Sequence, residues 1–171
     1  MYPDYPDPMP AFQFNGGASG KALLESALAE PQQTFGGVYL HRTVFDKAAA
    51  LYRSVVKNHA LLDGNKRLGL TTAAVFLWLN GYLFSPAYED AVSFTVRIAT
   101  GEVSELPEIA RWLRRNSKRT SELDTLPSNE LAKMNEATPG FLPRFIVLTK
   151  LSVQLIQQDL ADRLKRLQPT G

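Results

Sequence analysis

Two stretches of helical apolar spacing, one on each side of a short polar cluster, constrain this chain more than any other feature. Val44, Ala48, Leu51, Tyr52, Val55 and Val56 mark one face of a first helix, and Leu68, Thr72, Val75, Phe76 and Leu79 one face of a second. Thr43 with Asp46 three residues later predicts the cap that opens the first helix. The second is expected from about residue 65 to residue 80, where Asn80-Gly81 supplies a C-terminal stop. Between them runs His59-Ala60-Leu61-Leu62-Asp63-Gly64-Asn65-Lys66-Arg67.

The rest of the chain extends the helical pattern. Leu23, Leu24, Ala27 and Leu28 fit a helix from Lys21 to Glu30 that Pro31 ends. Residues 31–42, with Gly36-Gly37 at their centre, suit a short strand or flap on a glycine hinge. Residues 88–99 and 104–116 read as two further helices parted by Thr100-Gly101. Four prolines in the first ten positions make residues 1–14 an extended tail. Composition turns polar after Asn116. A main domain is therefore expected over 15–118, a linker with room for one helical turn over 119–140, and an amphipathic helix over 141–168. Leu148, Leu151, Leu155, Leu160, Leu164 and Leu167 stripe that last helix. Convincing strands are scarce, so the expected class is all-α.

Composition narrows the function. Apolar residues are 44% of 171, enough for a packed core. No cysteine is present, which rules out a disulfide scaffold and thiolate-bound metals and fits a cytoplasmic location. Two histidines are too few for a histidine-rich metal site. A net charge of +2 gives no strong signal for nucleic acid. No apolar run reaches membrane-spanning length, and the Pro- and Asp-rich start lacks the pattern of a secretory signal.

Each residue of the polar cluster has a chemical use. His59 ionises near neutral pH and suits a general base that takes a proton from a hydroxyl. Asp63 is a hard oxygen ligand fit for Mg²⁺ that bridges phosphates. Gly64 lets backbone approach a ligand closely, and a helix starting at Asn65 directs free N–H groups and a positive dipole end at an anion. Asn65 offers an amide donor, Lys66 a point charge and Arg67 a bidentate fork. Together they form the minimum set for phosphoryl or nucleotidyl transfer. A P-loop is excluded, because no Gly-Lys-Ser/Thr follows Gly64 at the required spacing. An EF-hand starting at Asp63 is excluded by Arg67 and Leu68 at its fifth and sixth positions. Spacing alone leaves one other reading open, a plain helix–helix loop in which Asp63 caps and Lys66 and Arg67 face solvent.

These residues resemble the Fic/Doc motif, His-x-Phe-x-Asp/Glu-Gly-Asn, then Gly or Lys, then Arg. The likeness is closest to the death-on-curing (Doc) branch, in which Lys follows Asn. Gly16-Gly17, Leu23 to Leu28, Thr34 to Gly37, Phe45 to Leu51, Asn80-Gly81-Tyr82 and Ala99 to Ser104 extend it over about residues 15–118. The resemblance implies a Fic-fold helical bundle with a small flap; the C-terminal helix read over 141–168 is extra to it, since residues 119–171 have no counterpart in the family. It further implies a toxin with a cognate antitoxin, moving a phosphoryl group from ATP, with Mg²⁺, to a hydroxyl of a protein such as elongation factor Tu. The alternatives on the same scaffold are AMP transfer and a catalytically weak binding module. Lys66 stands where the AMP-transferring form has Gly, and Leu70 where it has a second Arg; both favour phosphoryl transfer. By resemblance His59 is the base, Asp63 the metal ligand, and Gly64, Asn65, Lys66 and Arg67 the nucleotide binders. Leu61 replaces the motif's Phe, and Ala60 its frequent Pro. Residues 34–40 fall near the flap that aligns a target as an added strand. No inhibitory Ser/Thr-x-x-x-Glu-Gly/Asn string occurs.

Four further features have plainer readings. His41 is expected in a surface or capping role. Phe76, Trp78, Tyr82 and Phe84 are expected to pack as core and helix ends rather than stack on a nucleotide. Arg111, Arg114, Arg115, Lys118 and Arg119 suit a solvated basic face. The stripe over 141–168 must pack on the main domain, bind a partner, or pair with a second copy to give a homo-oligomer.

Overall fold

The computed structural model describes residues 13–123 together with Pro127 and Asn129. The expected helix at 141–168, nearly all of the expected tail and most of the expected linker lie outside the described residues. Within them the chain is all-α with two small antiparallel sheets. Its elements are α1 (Ala18–Ala29), β1 (Thr34–Phe35), β2 (Val38–Tyr39), α2 (Val44–Lys57), α3 (Asn65–Leu79), β3 (Tyr82–Phe84), α4 (Tyr88–Thr100), α5 (Leu106–Arg115), β4 (Ser117–Arg119) and α6 (Thr120–Leu123).

Local chemistry sets the helix ends. Thr43 and Asp46 form a reciprocal capping box: the Asp46 N–H donates to Thr43 Oγ1 at 3.1 Å, and the Thr43 N–H to Asp46 Oδ2 at 3.0 Å. Pro107 sits in the first turn of α5, where a missing N–H costs nothing. Glu89 and Asp90 at the start of α4 and Arg97 near its end oppose the helix dipole. α1 starts three residues before the expected Lys21, directly after the left-handed Gly16-Gly17 turn. Pro31 does not merely stop it; it is buried in a 3₁₀ turn, Glu30–Gln32.

α2 is the central helix, packed against α1, α3, α4 and α5. It meets α3 closely at Gly69, where a Cβ would lie 2.5 Å from Val56 Cγ2. This contact keeps the two helices side by side and fixes the loop between them. Tyr52, Val56, Leu77, Ile98, Ile109, Trp112 and Leu113 fill the core beneath. Phe76, Tyr82 and Phe84 pack there as expected, whereas Trp78 is 37% exposed.

One pairing has no periodic signal in the sequence. β3 pairs with β4 in the register Tyr82↔Arg119, Leu83↔Lys118 and Phe84↔Ser117. The polar stretch after Asn116 thus returns to the domain, and the Thr120 N–H donates to Gly81 O at 2.9 Å. The basic run is only partly a solvated face. The Arg114 guanidinium lies 5.1 Å from the Phe45 ring centroid, and that of Arg119 lies 5.6 Å from Tyr82. His41 departs from its expected surface role, since it is buried with Nε2 3.5 Å from Glu30 Oε1.

The Tyr52 phenol is buried and shares a 2.5 Å hydrogen bond with Thr95 Oγ1. The Thr95 hydroxyl donates its one proton to Ala91 O, so Tyr52 is the donor to Thr95. Burial pushes the phenol's pKa up, and the Thr95 hydrogen bond offsets part of the rise. The folded chain then holds a proton that the unfolded chain releases above pH ~10. This contribution is fully present below pH ~10 and is lost as pH rises further. Stability measured by urea unfolding is expected to fall above that pH, and Tyr52→Phe should fall less steeply. Parallel curves for the two proteins would rule out the phenol as the source.

Candidate active site

The helix pair presents its connecting loop at one end of the domain. α2 finishes at Lys57 with Asn58 as its cap, and the Asn58 side chain donates to Leu23 O of α1 at 3.2 Å. His59 follows with φ 49°, the one non-glycine residue with positive φ among the described residues. Such a conformation is uncommon outside glycine and tends to occur where surrounding contacts hold it in place. Gly64, at φ 91°, turns the chain into α3. Ala60 and Leu61 are buried; His59, Asp63, Lys66 and Arg67 are exposed. The loop therefore inserts its apolar residues into the domain and leaves its chemical groups outside. Leu61 fills the anchoring position with 5% of its surface exposed, although it is smaller than the Phe it replaces.

Asn65 braces the loop from within. Its Oδ1 accepts from the Leu61 N–H at 2.9 Å, and its Nδ2 donates to Leu61 O at 2.7 Å. One Nδ2 hydrogen and its backbone N–H at the start of α3 remain for an external acceptor. No side chain caps that helix end, so its first N–H groups face outward beside Lys66 and Arg67. Arg67 Nη2 lies 3.3 Å from Asp63 Oδ2, with both side chains largely exposed. An ion pair so exposed adds little to stability. It keeps a carboxylate and a guanidinium at the mouth of the helix end, each able to exchange its partner for a cation or a phosphate.

A strap upstream of α1 holds the loop from outside. The Asn15 N–H donates to Ala60 O at 2.9 Å, and the Leu62 N–H to Gln13 O at 3.0 Å. Phe14 and Leu61 form an antiparallel bridge. Sequence reasoning missed these residues, because backbone pairing of this kind leaves no mark on residue type.

The site residues expected from the sequence, His59, Asp63, Gly64, Asn65, Lys66 and Arg67, all lie on this loop and the first turn of α3. The β1–β2 hairpin turns at Gly36-Gly37, both left-handed. It is fastened near the far end of α2 by Lys47, whose Nζ lies 4.1 Å from the Tyr39 ring centroid. Phe35, Val38, Tyr39 and Leu40 are exposed on it. Among the described residues no three His, Asp or Glu side chains gather to hold a metal, and no helix is long and apolar enough to cross a membrane. The single carboxylate of Asp63 nonetheless fits Mg²⁺, which commonly takes one or two protein carboxylates and draws its other ligands from water and phosphate.

Residues 4–77 match the sequence model of the Fic/DOC family. Over 59 residues the chain is 51% identical to Toxin Doc of Mycolicibacterium smegmatis (strain ATCC 700084 / mc(2)155). That stretch is 34% of this chain and 45% of the relative, so the chain spans less than half of the relative's length.

Proposed function

We propose that this chain, whose residues 4–77 match the Fic/DOC family, is a Doc-type toxin that moves the terminal phosphoryl group of ATP to a hydroxyl of a protein target. The observation that carries the reading is the Asp63–Arg67 ion pair at the uncapped N-terminus of α3, on the same short stretch of chain as the exposed His59 and Lys66. The γ-phosphate would rest against that helix end, with Lys66 and Arg67 neutralising its charge and the remaining donors of Asn65 contacting an oxygen. Asp63 would hold Mg²⁺, which supplies charge neutralisation of the phosphates when bound. The target hydroxyl attacks phosphorus as its proton passes to the His59 imidazole, and the bond to ADP breaks. The exposed β1–β2 hairpin offers strand edges on which an extended target segment can add as a further strand. Elongation factor Tu or a protein like it is the proposed target, in the cytoplasm, and a cognate antitoxin the proposed inhibitor.

ATP labelled at the γ phosphate should mark the target, and ATP labelled at the α phosphate should not. The reverse outcome would assign AMP transfer. Absence of both labels would leave a binding module.

Arg67→Ala and Lys66→Ala are each expected to weaken ATP binding by about 1.5–3 kcal/mol, the range for a hydrogen bond to a charged group. The thermal midpoint should barely move, because both side chains are exposed. Calorimetry that gave parent affinity for both variants would remove them from the nucleotide site.

A further inference from the structure

We infer that Asn15 is a positioning residue for His59, acting through the strap formed by residues 13–15. The inference rests on the proposed role of His59 as the base.

Three observations converge on the same short piece of backbone. His59 adopts a left-handed conformation, φ 49°, that is uncommon outside glycine, although histidine takes it more readily than most residues. Asn15 contacts the two peptides that follow His59: its Nδ2 donates to His59 O, of the His59–Ala60 peptide, at 3.3 Å, and its N–H to Ala60 O, of the Ala60–Leu61 peptide, at 2.9 Å. The bridge of Phe14 to Leu61 and the Leu62 N–H bond to Gln13 O continue the pairing. From behind, α1 closes on the same place. A Cβ on Gly20 would lie 2.5 Å from Ala60 O and 2.5 Å from Asn15 O. The strap is therefore held between α1 and the loop at the Ala60 carbonyl, which leaves the Asn15 side chain as the strap's contact with the His59 carbonyl.

Asn65 cannot fulfil this task. Its carboxamide bonds the N–H and the carbonyl of Leu61, on the α3 side of the loop, and its remaining Nδ2 hydrogen makes no bond to His59 O. The His59 carbonyl is reached from the strap, by the side chain of Asn15. A base displaced by about 1 Å can cost on the order of 100-fold in rate, so a contact too long and exposed to matter for stability can still matter for chemistry.

The test compares the full-length parent with Asn15→Ala and Asn15→Asp; Asp matches Asn in size and lacks the amide donor. Phosphoryl transfer is measured with kcat separated from the KM for ATP, alongside the thermal midpoint. The backbone and ring resonances of the two histidines are recorded in the same samples, with buried His41 as the internal control. The expected result is a loss of about 10- to 100-fold in kcat for both variants. The KM and midpoint should hold, and the resonances of His59 alone should shift. Parent kcat and parent His59 resonances in both variants would overturn the inference. So would losses that follow a falling midpoint while His41 shifts as well. A parent without transfer activity whose His59 resonances still respond to Asn15 would sink the functional reading and leave the positioning of His59 standing.

Discussion

His59→Ala is expected to abolish measurable transfer while leaving the domain folded. Removal of a positioned general base costs roughly 100- to 10,000-fold in rate. His59 is the only histidine on the loop, and the other, His41, is buried beside Glu30 at the end of α1. The stability side of the expectation follows from exposure. The imidazole of His59 stands outside the core, so its loss opens no cavity. Backbone conformation needs its own control, because alanine is no better suited than histidine to φ 49°. Asn tolerates left-handed backbone better than most residues. His59→Asn should therefore keep the loop geometry, removing the base with less perturbation. Both variants should be inactive with thermal midpoints near that of the parent. Parent-level transfer by either would remove His59 from the chemistry. Inactivity with a collapsed midpoint in Ala but not Asn would trace the Ala result to backbone strain.

Most of the fold was legible because its signals are local. The capping box of Thr43 and Asp46 placed the start of α2, and Asn80-Gly81 placed the end of α3. The loop was legible for the same reason, since its chemical groups fall within one short run between two helices. What escaped the sequence is non-local. Tyr82-Leu83-Phe84 is too short for alternation to register, and its partner is Ser117-Lys118-Arg119, polar residues on an edge. His41 is buried 3.5 Å from Glu30, which lies 11 positions earlier at the start of the 3₁₀ turn that carries Pro31. Asn15 lies 44 residues before His59 and reaches the loop partly through its own backbone. Pairing of that sort depends on where two segments meet and very little on which residues they carry.

Trp112→Ala is expected to carry the largest stability cost of any substitution considered. Trp112 sits on α5 with only 6% of its surface exposed. Its ring stacks on Phe94 of α4, centroids 4.0 Å apart and planes 9° from parallel. It also meets Phe84 of β3 edge-on at 5.4 Å. One side chain therefore joins three elements, including the strand that the polar segment Ser117–Arg119 pairs with. Truncating a buried Trp typically costs about 3–5 kcal/mol, through lost transfer energy and a cavity that neighbours fill incompletely. Aromatic pairing adds roughly 0.5–1.5 kcal/mol for each well-placed partner. Against a total stability of about 5–15 kcal/mol for a domain of this kind, that is a large fraction. Urea unfolding should show the midpoint falling steeply, and Trp112→Phe should recover part of the loss by keeping a ring in the stack. The loop proposed to act lies between α2 and α3, and Trp112 is not part of it, so transfer per folded molecule should survive at low temperature. A cost below about 1 kcal/mol, the range of an exposed site, would mean that α5 is not packed against α4 and β3 through this residue.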